Sequence, residues 1–557
     1  MNVVTGWDYL SLCDAYLSTV ERVRRDHRPA LLHVVELTQP LGHSTSGSHE
    51  RYKSAERLSW EADHDGLLRM RQWILAEGIV SELEISACEA EASAAVEDER
   101  ASSRDEVLSE VRRERSQLRD ILNTTEGIGR SAAVTESLRD LDAESEPTSR
   151  LLQEVAVRSM IALHDRPQEV RDELQSWIDT KSEAGRKRYQ SHLHSESMSS
   201  PLLVPAVAPE YSGSSPTVDG RVVLQQCFDA NLARDSRIFI IGEDVGRLGD
   251  VNLVYEGLAA KYGDLRVTDT GIREATILGQ AIGAALRGLR PVADIQYLDY
   301  LNFALQTASD DLASLHWRTR GGQAAPVIVR TKGHRFVGVW HAGSPIAAVL
   351  HACRGLYLAV PRDMTRAAGF YNTLFRGDNP AIVIEVLRGY RIKETLPDNV
   401  DEFCGALGVP EILRTGTDVT IVTYGACCAV AMDAARDLER LGIDIEVVDV
   451  QTLAPFDIEG RVASSIAKTS AVIFLDEDVP GGASAYMMQQ VLEGQGAWSN
   501  LDGRPRTVTA SATRSAYGTD GEYFTKPGRE DVIGAVHALM HERDPKRFPR
   551  LFAGEYE

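Results

Sequence analysis

Apolar and polar positions change rhythm twice along this chain. From Trp7 to Arg25 the apolar residues recur at helical spacing, and LLHVVEL, Leu31 to Leu37, then reads as a short strand. A polar loop follows, GHSTSGSHERYKS from Gly42 to Ser54. One helix feeding one strand is the tail of an α/β domain, and nothing upstream supplies its remaining strands. From about Ser81 to Gln190 the chain is rich in Glu, Arg, Ala and Ser at helical spacing. That predicts solvated helices bridging two halves, with a modest apolar face from Leu151, Leu152, Val155, Val157 and Ile161. SESMSSPLLVPAVAPEYSGSSP is Ser- and Pro-rich and reads as an extended connector.

After Val218 apolar runs alternate with helical stretches. SRIFIIGEDVG, PVADIQY, PVIVR, LYLAVP and AIVIEV read as buried strands. A second series begins near Glu411 with DVTIVTYG, IDIEVVDV, AVIFLDED and RTVTAS. Such βα alternation predicts α/β architecture, two tandem doubly wound parallel sheets.

Composition narrows the class. Lys plus Arg is 60 against 82 Asp plus Glu, a net charge of −22, which argues against general nucleic-acid or anionic-membrane binding. No run of about 18 apolar residues predicts a membrane span. Asp8 stands where a secretory signal would be apolar, so the expected address is cytoplasmic. The seven cysteines include no CxxC pair, which fits reduced thiols.

In doubly wound sheets ligands gather at the carboxyl ends of the strands. Three motifs fall there. GEDVG sets Glu243 and Asp244 just beyond the strand IFII. DTGIREATILGQAIGAALRG carries Glu274 into the first turn of a helix whose Ile277, Leu278, Ala281, Ile282, Ala285 and Leu286 are apolar, so the helix is expected to be buried. There Glu274 either complements the helix dipole or shares a proton with a cofactor ring nitrogen. GVWHAGSPIAAVLHA places His341 on a Gly-rich loop ahead of a helix, where a histidine is either structural or presented to a cleft. His43, beside Ser44 and Ser46 in GHSTSG, carries the same ambiguity, and Arg51 and Lys53 stand near enough to answer phosphate charge. Walker loops, GxSxG elbows, HExxH and zinc-type spacings are absent.

Taken in order, GEDVG, DTGIREATILGQAIGAALRGLRPVADIQY, RTRGGQ, HAGSP and VVDVQTLAPFD resemble the thiamine diphosphate-dependent 2-oxo acid dehydrogenases. These form the decarboxylating first component of the pyruvate and branched-chain complexes. Residues from about 218 to 550 are similar to a whole β subunit, and residues 1–100 to the last part of an α subunit, as in single-chain α–β fusions. The resemblance implies four parts: an α-type remnant at 1–100, a helical then Ser/Pro-rich linker at 101–217, a transketolase-like pyrimidine-binding domain at 218–405 and a C-terminal domain at 406–557. It implies that Glu274 bonds N1′ of the aminopyrimidine, that Glu243 is an acid of the subunit contact, and that Tyr297 walls the pyrimidine pocket. It likewise implies that His341 assists acyl transfer to lipoyl and that His43 contacts the cofactor diphosphate. The cofactors implied are thiamine diphosphate and Mg²⁺. The partners are a small 2-oxo acid, a lipoyl-bearing dihydrolipoyl acyltransferase and further copies or subunits in an α2β2-like oligomer.

The sequence departs from that family in one respect. The GDG that should hold magnesium occurs nowhere in the 557 residues, and LFRGDNP does not repeat the usual potassium loop. The expectation is that a separate polypeptide or an upstream segment supplies the metal anchor, or that the product is impaired. Two alternatives stay open: a transketolase-like enzyme of another branch, and a cofactor-less assembly or regulatory protein that keeps the fold.

Overall fold

The computed structural model describes residues 2–40, 42, 49–124, 132–334, 341 and 343–551. They form two compact units, Met1–Ala184 and Gly185–Glu557.

The first unit begins with a βαβ element. Strands Asn2–Thr5 and Leu32–Val35 pair in parallel, joined by the helix Tyr9–Asp26. The Asp8 carboxylate caps that helix by accepting from Ser11 N at 3.2 Å. The second strand stops short of Leu37 because Glu36 enters the left-handed region at φ 57°. Beyond it, the helices Glu82–Thr124, Ala132–Ala143 and Ser149–Ala162 close over a core with Leu118, Leu122, Val134, Leu141, Leu152, Val155 and Trp177. The stretch read as solvated helices thus has an interior of its own. Its inward stripe differs from the expected one. Leu152, Val155, Ala156 and Ser159 are buried, whereas Val157 and Ile161 are exposed. At about 100° per residue, Ile161 lies half a turn out of phase with Leu152.

In the second unit the apolar runs become strands of two sheets. The seven-stranded sheet runs Thr452–Ala454, Tyr357–Ala359, Ala381–Val386, Ile328–Gly333, Arg290–Ile295, Ile238–Gly242, Val267–Asp269 from edge to edge. All of its pairs are parallel except the one made by Thr452–Ala454. The five-stranded sheet runs Glu411–Arg414, Ile445–Asp449, Val419–Thr423, Val472–Leu475, Arg506–Val508, with an antiparallel first pair. Nearly every position of the central strands is buried, as expected where helices cover both faces. The fold is α/β as anticipated, with antiparallel edges added. Thr452–Ala454 comes from the second series yet completes the first sheet. Among the described residues no helix is long and apolar enough to cross a membrane.

The site is located by topology. From Ile238–Gly242 the chain crosses to the edge strand Val267–Asp269, then returns to the other side as Arg290–Ile295. Connections leave in opposite directions there, so a crevice opens between Gly242 and Ile295.

Candidate functional site

Each wall of this crevice follows from a local feature. On one side the GEDVG turn is fastened by the Asp269 carboxylate, which accepts from Gly246 N at 2.6 Å and Arg247 N at 3.0 Å. A Cβ on Gly246 would stand 2.7 Å from that carboxylate, so a glycine is required. The turn leaves Glu243 half-buried beside Asp244, itself in the left-handed region at φ 58°. Burial first, then the charges of Asp244 and Glu274, push the Glu243 carboxyl above its ordinary range, against the pull of Lys332.

Glu274 opens the helix Glu274–Leu286, whose Ile277, Leu278, Ala281, Ile282 and Ala285 are buried, while Leu286 in the last turn is exposed. Each buried Leu or Ile stabilises by about 1.5–3 kcal/mol, enough to hold a carboxyl where it would not otherwise settle. Glu274 is 9% exposed, and its carboxylate makes no hydrogen bond or ion pair with a described residue.

The third wall is aromatic. Tyr297 follows the strand Arg290–Ile295, and its ring centroid lies 4.6 Å from that of His341 and 5.5 Å from that of Tyr300. The Tyr300 hydroxyl and His341 Nε2 are hydrogen-bonded at 3.2 Å. Burial raises both phenols, and Tyr300 is raised further by Tyr297, Glu243 and Glu274. Tyr300 and its neighbour Asp299 were not singled out from sequence, because their partners lie some forty residues ahead. Asp299 Oδ2 accepts from Gly343 N at 2.8 Å, and a Cβ on Gly343 would meet Asp299 Oδ1 at 2.2 Å. From the other sheet, Glu477 Oε1 accepts from Ser344 Oγ at 3.2 Å and Asp478 Oδ2 from Ala347 N at 3.2 Å. The loop of His341 is therefore fastened by three carboxylates. Lys526 Nζ, 3.1 Å from Glu477 Oε1, answers one of them.

Beneath the crevice lies a cluster of buried charge. Arg330 meets Glu385 through two bonds, at 2.8 and 2.7 Å, and Asp250 at 3.2 Å, and it also bonds Asp294. Lys332 Nζ bonds Asp250 at 2.7 Å and Asp294 at 2.9 Å. Tyr255 donates to Asp294 at 3.0 Å and Tyr371 to Glu385 at 2.6 Å. Burial works to raise the Asp294 carboxyl, but Lys332 and Arg330 overcome it and hold it below its usual value. Sequence reasoning passed over this cluster. The available signal was charge inside runs otherwise read as buried: Asp294 in PVADIQY, Arg330 in PVIVR, Glu385 in AIVIEV.

Among the described residues the donor atoms of His334, Cys427 and Glu477 lie within 4.8 Å of one another, close enough for a metal ion. The hydrogen bonding argues otherwise. His334 Nδ1 accepts from Ala426 N at 2.9 Å, which places the ring proton on Nε2, whereas a metal-ligating histidine donates through its second nitrogen.

In the first unit His43, with Ser44 and Ser46, lies outside the described residues. Lys53, read as free to answer phosphate, is held by Glu61 at 2.8 and 2.7 Å.

Comparison with known proteins agrees with this layout. Profiles for "Transketolase, pyrimidine binding domain", "Transketolase, C-terminal domain" and "Dehydrogenase E1 component" match residues 217–391, 408–531 and 3–111. The chain is 34% identical over 321 residues to the pyruvate dehydrogenase E1 component subunit beta of Staurastrum punctulatum, covering 57% of this chain and 96% of that protein. It is 34% identical over 254 residues to the 2-oxoisovalerate dehydrogenase subunit beta of Bacillus subtilis (strain 168), covering 45% and 77%. A solved structure described as "Split gene transketolase, inactive beta4 tetramer" overlaps 58% of this chain and 99% of its own, at 20% identity and a TM-score of 0.48. An E1-type segment thus precedes a β-type region aligned almost end to end with its relatives, and the chain belongs to the thiamine diphosphate-dependent 2-oxo acid dehydrogenases, in the α–β fusion arrangement.

Proposed function

We propose that the chain carries out the oxidative decarboxylation of a 2-oxo acid and passes the acyl group to the lipoyl arm of a dihydrolipoyl acyltransferase. In that reaction the carboxyl carbon leaves as carbon dioxide and the carbonyl carbon is oxidised to the acyl level. The lipoyl disulfide is reduced, one sulfur taking the acyl group and the other a proton. One observation carries the reading: Glu274, 9% exposed at the mouth of the switch-point crevice, has a carboxylate that no described residue bonds.

The residues present fit the pyrimidine end of thiamine diphosphate. An acceptor or donor for a ring nitrogen stands at Glu274, with an apolar helix behind it and the aromatic faces of Tyr297 and Tyr300 opposite. When bound, that cofactor supplies a nucleophilic carbon and a ring that accepts the electrons released with carbon dioxide. Glu274 would hold the proton at the ring nitrogen, a task suited to a carboxyl backed by an apolar helix. Glu243, held above the ordinary carboxyl range, would relay charge toward the subunit contact. His341, oriented by Tyr300, would serve the acyl transfer. His43 would meet the diphosphate, and Mg²⁺ would sit there with oxygen ligands that this reading does not assign within the chain. We place this reaction in an oligomeric assembly.

The test is to supply the assembled enzyme, with thiamine diphosphate and Mg²⁺, with pyruvate, branched-chain and longer 2-oxo acids and a lipoylated acyltransferase. Carbon dioxide release together with an acyl mass increment on the lipoyl group supports the reading and identifies the substrate. No carbon dioxide from any 2-oxo acid refutes it.

A further inference from the structure

A second concavity lies at the opposite end of the seven-stranded sheet, where the strands Tyr357–Ala359 and Ala381–Val386 begin. Its volume is about 300 Å³. Leu193, Val349, Leu358 and Ile382 give it an apolar wall. Its charge comes from Arg354 at the exposed rim, beside His194 and His351, and among the described residues no carboxylate lines it. Among the described residues the Arg354 guanidinium makes no ion pair or hydrogen bond. His194 is stacked on Tyr357, with ring centroids 4.6 Å apart, and its Nδ1 is buried without a hydrogen-bond partner among the described residues. Burial first, then His316, pulls the His194 imidazole down to about 4, so it stays neutral at physiological pH.

We propose that this cavity is a second small-molecule site, which takes an aliphatic monocarboxylate with its chain among Leu193, Val349, Leu358 and Ile382 and its carboxylate at the rim on Arg354. A cavity with an apolar wall, an unpaired guanidinium and no acid selects against amines and favours an anionic head. At the ~30 Å³ that a water molecule occupies, the volume holds on the order of ten heavy atoms, the count of octanoate. The site is remote from Glu243 and Glu274, so its occupant does not compete with the 2-oxo acid. The inference does not depend on the proposed function.

Calorimetric titration of the full chain with butanoate, hexanoate, octanoate and decanoate tests it, with octan-1-ol and octylamine as controls. Affinity should rise about fourfold per methylene up to octanoate and then stop rising. Octanoate should bind at least tenfold more tightly than octan-1-ol, and excess pyruvate should not displace it. Arg354→Met, a substitution at an exposed rim, should weaken octanoate at least tenfold while leaving octan-1-ol unchanged. Val349→Trp should abolish both, with the thermal midpoint confirming that each variant is folded. Equal binding of acid and alcohol, octanoate affinity unmoved by Arg354→Met, displacement by pyruvate, or no binding at all would each overturn the proposal.

Discussion

Two sets of buried charge lie in the pyrimidine-binding region, and they are treated in opposite ways. Under the crevice Arg330, Lys332, Asp250, Asp294 and Glu385 are matched bond for bond, with tyrosine hydroxyls filling remaining positions. At its mouth Glu274 is 9% exposed, and no described residue bonds its carboxylate. A protein that satisfies five ionised groups so completely can satisfy a sixth. Leaving one unmet beside Glu243 and two tyrosines concentrates an unspent hydrogen-bonding capacity at one spot. The matched set is architecture; the unmatched carboxyl is available to a bound molecule.

The contrast is sharpest in the matched set. Arg330→Met should destabilise by about 3–5 kcal/mol in denaturant unfolding, because it strands Glu385 and Asp294 in the interior. Adding Glu385→Leu should return part of that loss. If the single variant costs less than about 1 kcal/mol, the cluster is not the cohesive element described above.

A smaller effect is expected at Asp478, whose carboxyl is pushed up to about 6 by burial and then by Asp476, against the donors of Val479 and Ala347. The folded state then holds this proton more tightly than the unfolded chain does, so this group's contribution to stability falls as pH rises from about 4 to 6 and is level above. Asp478→Asn should gain on the parent across that window by roughly 2–3 kcal/mol at most. Unfolding curves that run parallel from pH 4 to 7 would contradict a raised Asp478 carboxyl.

Smaller again is Tyr300→Phe, which deletes the bond to His341. About 1 kcal/mol, or roughly fivefold, should be lost from lipoyl acylation, while carbon dioxide release with an artificial oxidant stays unchanged. Equal losses in both assays would detach His341 from the transfer step. The least effect belongs to Ile161→Ser in the helical region of the first unit, which should shift stability by no more than about 0.5 kcal/mol. Leu152→Ala, on the inward stripe, should cost about 2–5 kcal/mol. The reverse order would contradict the packing.

What the sequence revealed follows the same physics. Strands buried on both faces are legible as apolar runs, and Ile238–Gly242, Val419–Thr423 and Val472–Leu475 lie inside theirs. Val267–Asp269 was passed over because one of its three residues is buried. Thr452–Ala454 was missed because it joins a sheet built from the other series, a choice made by tertiary packing rather than by local pattern. Glu274, Glu243, Tyr297 and His341 could be picked out because their motifs keep an order along the chain, and the fold brings Tyr297 against His341 and Glu243 near Glu274. Asp299, Tyr300, Glu477 and Asp478 could not, since each acts on the His341 loop from a distant segment and nothing local marks an ordinary acid or tyrosine for that work.

The most direct measurement is single-turnover carbon dioxide release by the assembled Glu274→Gln enzyme, paired with its unfolding midpoint. With the carboxyl bonded to no described residue but essential to the reaction, release should slow at least 100-fold while the midpoint stays within a few degrees of the parent. Release at the parental rate, or a midpoint that collapses with it, would contradict the assignment.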